Sequence, residues 1–321
     1  MGEPWYSSIS ADLEKVDAVM KDSIRSGNPE LTEICEYVLG SNGKRIRPSM
    51  CLLAFYACGG KDPKKAQEVA AAVEIIHNAT LVHDDINDRG ELRRGAKAAY
   101  KKYSIGKSIV AGDFMFALGY RLVGTVSPEV VEFVVETSCA MSAGEFDQKD
   151  LEHNVKATEE DYLRIIRGKT ASMIECGAKI GAFLAGANSR TIGKVGDFAL
   201  HTGMAFQIVD DLLDVIGDEK ATGKRTGSDM MEGKPTLPII YAMQDPVHGG
   251  ALRELFKKKG LEWSEAAEAI ELIKKTDAIS RCREKAKSIA DPSVSSLDVL
   301  EDSVYKRSLI SLSNFIVDRN R

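Results

Sequence analysis

Residues 159–184, EEDYLRIIRGKTASMIECGAKIGAFL, set apolar side chains at the three- and four-residue intervals of a helix and contain no proline. The same pattern extends outward in both directions. The chain has 9 prolines, none from residue 64 to 127 and none from 129 to 234, and alternating β-branched runs bounded by turn residues are scarce; these stretches are therefore expected to be mostly helical. ADLEKVDAVMKDSI places Leu13, Val16, Met20 and Ile24 on one stripe, and VVEFVVETSCAMSAGEF behaves likewise. Breaks at RSGNPE, GSNGKRIRP, GGKDP, VSPE, LAGANSRT, GDEKATGKRTG and QDPVHGG cut the chain into roughly ten helices. None has the length or composition of an interdomain linker, so the expectation is an all-α chain, residues 1–321 forming a single domain: a bundle of long helices around one interior.

Composition narrows the function. With 44% apolar residues in 321 the chain can bury a core, and a net charge of −5 argues against a general nucleic-acid binder, which needs excess Lys and Arg to displace phosphate counterions. The six cysteines form no CxxC pair and have no histidine at zinc-finger spacing, the pattern of reduced thiols in a cytoplasmic protein. The opening MGEPWYSSIS has neither a basic nor an apolar leader segment, Tyr6 stands where a myristoylation pattern needs Ser or Thr, and no run of 18 apolar residues occurs, so no stable membrane insertion is expected.

Chemistry concentrates in LVHDDINDRGELRRG, residues 81–95, where Asp84, Asp85 and Asp88 crowd three like charges into five residues. FQIVDDLLD, residues 206–214, repeats the D-D-x-x-D spacing at Asp210, Asp211 and Asp214. On a helix the first and last aspartates of each triplet share a face, which His77 extends in one copy and Gln207 in the other. One such triplet is most simply a solvated face or a set of first-turn acids; two, set among Ile76, Leu81, Ile208, Leu212 and Leu213, are not. Carboxylates suit hard cations, and Mg²⁺ takes one or two of them together with substrate phosphate oxygens. Two facing acidic helix ends with cations between them would hold a diphosphate. Lys44, Arg47, Arg93, Arg94, Lys169, Lys224 and Lys234 sit at element ends, where Arg forks and Lys point charges can grip phosphate. Gly217 to Lys224 fails the Walker A spacing, no GxSxG or HExxH occurs, and the Asn78-Ala79-Thr80 sequon falls inside a helical run.

Together GKRIRP, EIIHNATLVHDDIND with LRRG, GKTAS, and FQIVDDLLD followed by GSDMMEGKPTLPIIYA resemble the trans-isoprenyl diphosphate synthases, or polyprenyl synthetases, in the family's order across residues 43–242. The resemblance implies an all-α bundle around a deep cavity, the two aspartate motifs facing across its mouth, and a homodimer. Asp84, Asp85, Asp88, Asp210 and Asp214 would bind two or three Mg²⁺ ions with Asp211 in support. Arg93, Lys169 and Lys224 would hold the allylic diphosphate, and Lys44, Arg47, His77 and Arg94 isopentenyl diphosphate; Lys234 joins the substrate-binding set. Asn42 replaces the first glycine of the usual GGKR, and Asn87 fills a usually apolar position.

The chemistry implied needs no Ser, Cys or His base. Cations neutralise a departing diphosphate, isopentenyl diphosphate attacks the allylic cation away from water, Thr170 and Gln207 stabilise that cation with their dipoles, and the released diphosphate removes the last proton. In this family a large aromatic four or five residues before the first aspartate ends growth early. Here Thr80 and Ala79 are small, so Ile76 and Val73 further down the helix are the next candidates for a floor, and a C20 to C25 product is expected. The competing readings are a shorter-product farnesyl diphosphate synthase, a terpene cyclase, which has no use for a second phosphate site, and a non-catalytic synthase subunit, which would be expected to lose one aspartate motif.

Overall fold

Where the sequence breaks, helices begin and end. The computed structural model describes residues 4–40, 43–217 and 225–319. Its first helices are α1 (Ser10–Ser23), α2 (Pro29–Leu39), α3 (Ile46–Ala57) and α4 (Lys64–Asn87). The RSGNPE break works as its residues dictate: Asn28 caps α2, its Oδ1 accepting from the Glu30 and Leu31 amides at 3.0 and 3.2 Å, and Pro29 takes the first helical position, where no N–H is needed. A two-stranded hairpin follows, β1 (Leu92–Arg93) and β2 (Ala96–Lys97), then α5 (Ala99–Lys102), α6 (Ile105–Gly124), α7 (Pro128–Asp150), α8 (Glu159–Ile166), a π-turn over Arg167–Ala171, α9 (Ser172–Leu184) and α10 (Ser189–Ile216). The remaining helices are α11 (Ser228–Glu232), α12 (Leu237–Ala242), α13 (Gly249–Lys257), α14 (Trp263–Ile273), α15 (Ala278–Ser293) and α16 (Val304–Val317). The all-α expectation holds; the helices are more numerous than ten, and the hairpin lies inside a proline-free stretch expected to be helical.

The chain forms two compact units. The first comprises residues 1–137, 173–199 and 296–312, the second 138–172, 200–295 and 313–321. At the centre of the first is α4, apolar nearly all round, with Val69 to Val73, Ile75, Ile76 and Ala79 fully buried as it packs on α1, α3 and α6. Ile75 and Ile76 each contribute about 1.5–3 kcal/mol by leaving water. Helix α6 comes close because glycines face the bulky residues of α4 seven residues apart on both helices. A Cβ on Gly119 would lie 2.4 Å from Ile76, and one on Gly112 would lie 2.3 Å from the His83 ring. On α9, Gly181 does the same for α3, where a Cβ would meet the Cys51 carbonyl oxygen at 2.2 Å.

In the second unit the C-terminal half of α10 supplies Leu200, Met204, Ile208 and Leu212 to a core shared with α8 and with α12 to α15. Helix α15 shows why: Cys282, Ala286 and Ala290, four residues apart, form its buried edge. Helix α8 starts on a capping box in which Thr158 Oγ1 accepts from the Asp161 amide at 3.1 Å and Asp161 Oδ2 accepts from the Thr158 amide at 3.0 Å. Among the described residues no helix is long and apolar enough to cross a membrane.

Candidate active site

Both acidic triplets occupy the C-terminal ends of long helices. Asp84 and Asp85 lie in the last turn of α4, and Asp88 is its cap residue. Arg89 follows with φ +55°, the Gly90 amide donates to the Asp85 carbonyl at 2.9 Å and the Arg89 amide to that of Ile86 at 3.3 Å, a Schellman stop with arginine in glycine's usual place. Asp210, Asp211 and Asp214 lie within the last seven residues of α10, Asp214 in its last turn. A helix C-terminus carries partial negative charge, so each carboxylate in a last turn, Asp84, Asp85 and Asp214, is disfavoured by about 0.3–1 kcal/mol. First-turn acids favoured by the dipole are therefore not what these triplets are, and a cation would reverse the sign of the effect.

In each triplet the second aspartate is buried and tied to the protein. Arg93 grips Asp85, its Nε donating to Oδ1 at 2.9 Å and its Nη2 to the same oxygen. Asp211 accepts from the Tyr162 hydroxyl at 2.6 Å on one oxygen and from the Gln207 amide at 2.7 Å on the other, while Gln207 Oε1 accepts from Thr170 at 2.8 Å. Burial pushes the Asp211 carboxyl up to about 7; the two hydrogen bonds oppose the shift, and the charges of Asp210 and Asp214 add to it. Asp214 accepts from the Ser228 hydroxyl at 2.6 Å and from the Asp229 amide at 3.1 Å, which fixes the start of α11. Asp84 and Asp88 are half-buried, and Asp210 is 51% exposed, with Arg319 at 3.5 Å.

Positive charge gathers beside the first triplet. The hairpin turns on Arg94 and Gly95, φ +52° and +80°, the two positive values that a two-residue I′ turn requires. The turn sends adjacent arginines to different neighbours: Arg93 to Asp85, and Arg94 onto the backbone of Gly43, where a Cβ would lie 3.1 Å from its Nη1. Burial works against the Arg93 charge, but Asp85, Asp84 and Asp88 outweigh it and raise its pKa. Arg94 is lowered, first by burial and then by Arg93 and Arg45, against the pull of Glu74. His77, half-buried on α4, is held well below its ordinary 6.5 by burial and by Arg47, Arg94, Arg93 and Arg45, so its imidazole is neutral at pH 7. Lys44 is exposed and Arg47 half-buried at the start of α3. With Arg93 engaged by Asp85 and Arg45 by Glu74, Arg47 and Arg94 near an uncharged imidazole are the cations suited to an anion here.

In the second unit Lys169 sits on the π-turn, an irregularity frequent at functional sites. It pairs with Glu145 of α7 and lies 3.4 Å from Gln148 Oε1. The turn touches α7 backbone to backbone: a Cβ on Gly144 would lie 2.8 Å from the Lys169 amide nitrogen, and one on Gly168 would lie 3.0 Å from the Ala140 carbonyl oxygen. Lys234 follows Gly233 (φ +68°) and pairs with Glu232 at 2.6 Å. Lys224 and Asn42 lie outside the described residues.

Comparison with known proteins agrees with this geometry. Residues 28–273 match the family model described as polyprenyl synthetase. The chain belongs to the polyprenyl synthetase family. It is accordingly an isoprenyl diphosphate synthase by class, a trans-prenyltransferase. It is 35% identical over 315 residues to the all-trans-nonaprenyl-diphosphate synthase (geranyl-diphosphate specific) of Rhodobacter capsulatus, covering 97% of this chain and 96% of that one. A crystal structure of polyprenyl synthase from Caulobacter crescentus CB15, complexed with calcium and isoprenyl diphosphate, superposes with a TM-score of 0.94 at 31% identity over 99% of this chain and 97% of that one. Geranylgeranyl pyrophosphate synthetase from Pyrococcus horikoshii Ot3 gives 0.89 at 33% identity, with 98% of each chain covered.

The candidate length-setting residues of this polyprenyl synthetase are all on α4. Ala79 and Val73 are fully buried, Ile76 fills the space opposite Gly119, and Thr80 is half-buried with its hydroxyl donating to the His77 carbonyl at 2.7 Å. Among the described residues no three His, Cys, Asp or Glu side chains converge to hold an ion by themselves. That donor set, a few partly exposed carboxylates on each helix end, suits Mg²⁺ bound jointly with phosphate oxygens. Sequence reasoning passed over Arg45, Glu74 and Tyr162. Glu74 left a signal, as an acid in an alanine-rich apolar run; the αL backbone of Arg45 left none.

Proposed function

We propose that the chain condenses isopentenyl diphosphate with an allylic diphosphate, dimethylallyl, geranyl or farnesyl, to give a linear all-trans prenyl diphosphate, and that residues 1–321 work as one synthetase domain. The observation that carries this reading is that Arg47 and Arg94 act on His77 while Arg93 grips Asp85 at the acidic end of the same helix: a binding place for a metal-free diphosphate next to one for a metal-bound diphosphate. A cyclase needs only the second. Asp84, Asp88 and Asp210 would supply oxygen ligands to Mg²⁺; Asp85 and Asp214, expected from the sequence as further ligands, are, like Asp211, already held by neighbours and would orient them. When bound, Mg²⁺ neutralises the charge that develops on the leaving diphosphate.

The protein's own groups do the rest. Arg93, Lys169 and Lys224 hold the allylic diphosphate and offset its charge as the C–O bond breaks. Lys44, Arg47, His77 and Arg94 hold isopentenyl diphosphate with its double bond toward the cation. The dipoles of Thr170 and Gln207, already aligned by their mutual hydrogen bond, face the cationic carbon.

The product is C20 or longer. Small residues at Ala79 and Thr80 support growth past C15, and the relatives named nonaprenyl and octaprenyl diphosphate synthases extend the range above C25. The active form is a homodimer in the cytoplasm: Ile105, Ile109 and Val110 stand exposed along α6, and all six cysteines are free thiols. Mass spectrometry after incubation with each allylic diphosphate, with and without isopentenyl diphosphate, tests the reaction. Elongation only when both are present is expected; consumption of the allylic substrate alone would mean a cyclase, and farnesyl diphosphate as the sole product would refute the length.

A further inference from the structure

GKRIRP places Lys44, Arg45 and Arg47 within four residues, yet the middle cation turns inward. Arg45 donates from Nη1 to Glu74 Oε1 at 3.0 Å, and its Nε lies 3.1 Å from Asp17 Oδ1. Glu74 is 3% exposed, one turn before His77 on α4, while Asp17 comes from α1. Arg45 thus joins three helices.

Its backbone is unusual as well. Arg45 occupies the N-cap of α3 with φ +51° and ψ +34°, a left-handed conformation where caps ordinarily take extended values, and its carbonyl accepts from the Ser49 amide at 3.0 Å. Where this residue sits decides where α3 begins, and so where Lys44 leaves the loop and Arg47 leaves the first turn. A non-glycine residue persists in this conformation when its surroundings over-determine it, and the two carboxylates do so. Glu74 serves a second cation: after burial, its charge is the largest influence on Arg94, which lies on Gly43 of the same loop. Asp85 is engaged by Arg93, leaving Glu74 as the deeply buried anion beside the other arginines of the cluster.

We propose that Arg45 and Glu74, aided by Asp17, are positioning residues for the isopentenyl diphosphate site. They touch no substrate; they fix where Lys44, Arg47 and Arg94 stand. The inference rests on the proposed function. The allylic side is held by a different ion pair, Arg93 with Asp85.

The test uses the full chain and four variants: Glu74→Gln, Arg45→Met, Arg45→Lys and the milder Asp17→Asn. In Glu74→Gln and Arg45→Met the KM for isopentenyl diphosphate rises about tenfold or more, while the KM for farnesyl diphosphate stays within about twofold and kcat within about threefold, as expected when one charge-assisted contact is lost. Arg45→Lys recovers part of the loss, and Asp17→Asn, at a half-exposed position, raises the same KM about two- to fivefold. Both KM values rising together, or neither moving while the melting temperature falls, would reduce the triad to a structural role and overturn the proposal. Calorimetric titration with isopentenyl diphosphate alone separates this from the synthase reading. Binding lost in Glu74→Gln by a chain that makes no product upholds the positioning role and sinks the synthase; product formation with unchanged binding in that variant does the reverse. Should Arg45→Met fail to fold, Glu74→Gln and Asp17→Asn decide.

Discussion

Gly144→Ala probes how the π-turn is held. The new Cβ would stand 2.8 Å from the Lys169 amide nitrogen and 3.3 Å from the Ile165 carbonyl oxygen, with ordinary contact beginning at 3.4 Å, so the turn must retreat by about 0.6 Å. Both obstacles are backbone, and neither can rotate away. The retreat carries Lys169 and Thr170 with it, and Thr170 feeds the hydrogen bonds that reach Gln207 and Asp211. A misplacement of about 1 Å can reduce a rate a hundredfold, so a fall in kcat/KM for the allylic substrate of roughly ten- to a hundredfold is expected, with a stability loss of about 1–3 kcal/mol from overpacking. Steady-state kinetics with farnesyl and isopentenyl diphosphates, together with a melting curve, measure both. Gly193→Ala is the control: it lies inside α10 with nothing within 4 Å of the added carbon, and should gain about 0.5–1 kcal/mol without a change in rate. A Gly144→Ala protein that melts lower yet keeps wild-type kcat/KM would show that this crossing does not position the turn.

Tyr162→Phe removes a buried hydroxyl that donates to Asp211 at 2.6 Å, within the charge-assisted range; about 1.5–3 kcal/mol of stability should go with it, and the Mg²⁺ concentration for half-maximal rate should rise, as thermal unfolding and a metal titration would report. Ala79→Phe or Thr80→Phe should shorten the product toward C15, read by mass spectrometry, and an unchanged product would remove this face of α4 from the growth path. Because the folded pKa of His77 lies below its ordinary 6.5, the unfolded chain takes up the proton first as pH falls, and stability drops below pH 6.5 by up to about 1.4 kcal/mol per pH unit. Urea midpoints at pH 7.5 and 5.5 should show this slope in the wild type and its loss in His77→Gln.

The sequence shows the architecture through its proline spacing: breaks at RSGNPE, GGKDP, VSPE and QDPVHGG coincide with the ends of α1, α3, α6 and α12. The hairpin at 92–97 escaped because two strands of two residues carry no periodicity, and the π-turn because GKTAS is compatible with an unbroken helix. At the site, residue types were legible but not their allocation. Asp84 and Asp85 are alike in sequence, and a rotation of about 100° per residue leaves one half-buried and seals the other under Arg93. Nothing in GKRIRP sets Arg45 apart from Lys44 and Arg47, and its inward turn depends on Asp17 and Glu74, far away in the sequence.

Because Arg94 and Gly95 close a turn of fixed register, Arg93 and Arg94 are sorted to their two neighbours by chain length alone. Insertion of one neutral residue between Asp88 and Leu92, or deletion of Gly90, would keep every charge while swinging the hairpin so that neither guanidinium meets its intended neighbour. This loop can thus vary in composition more readily than in length, and evolutionary drift here should appear as substitutions rather than gaps.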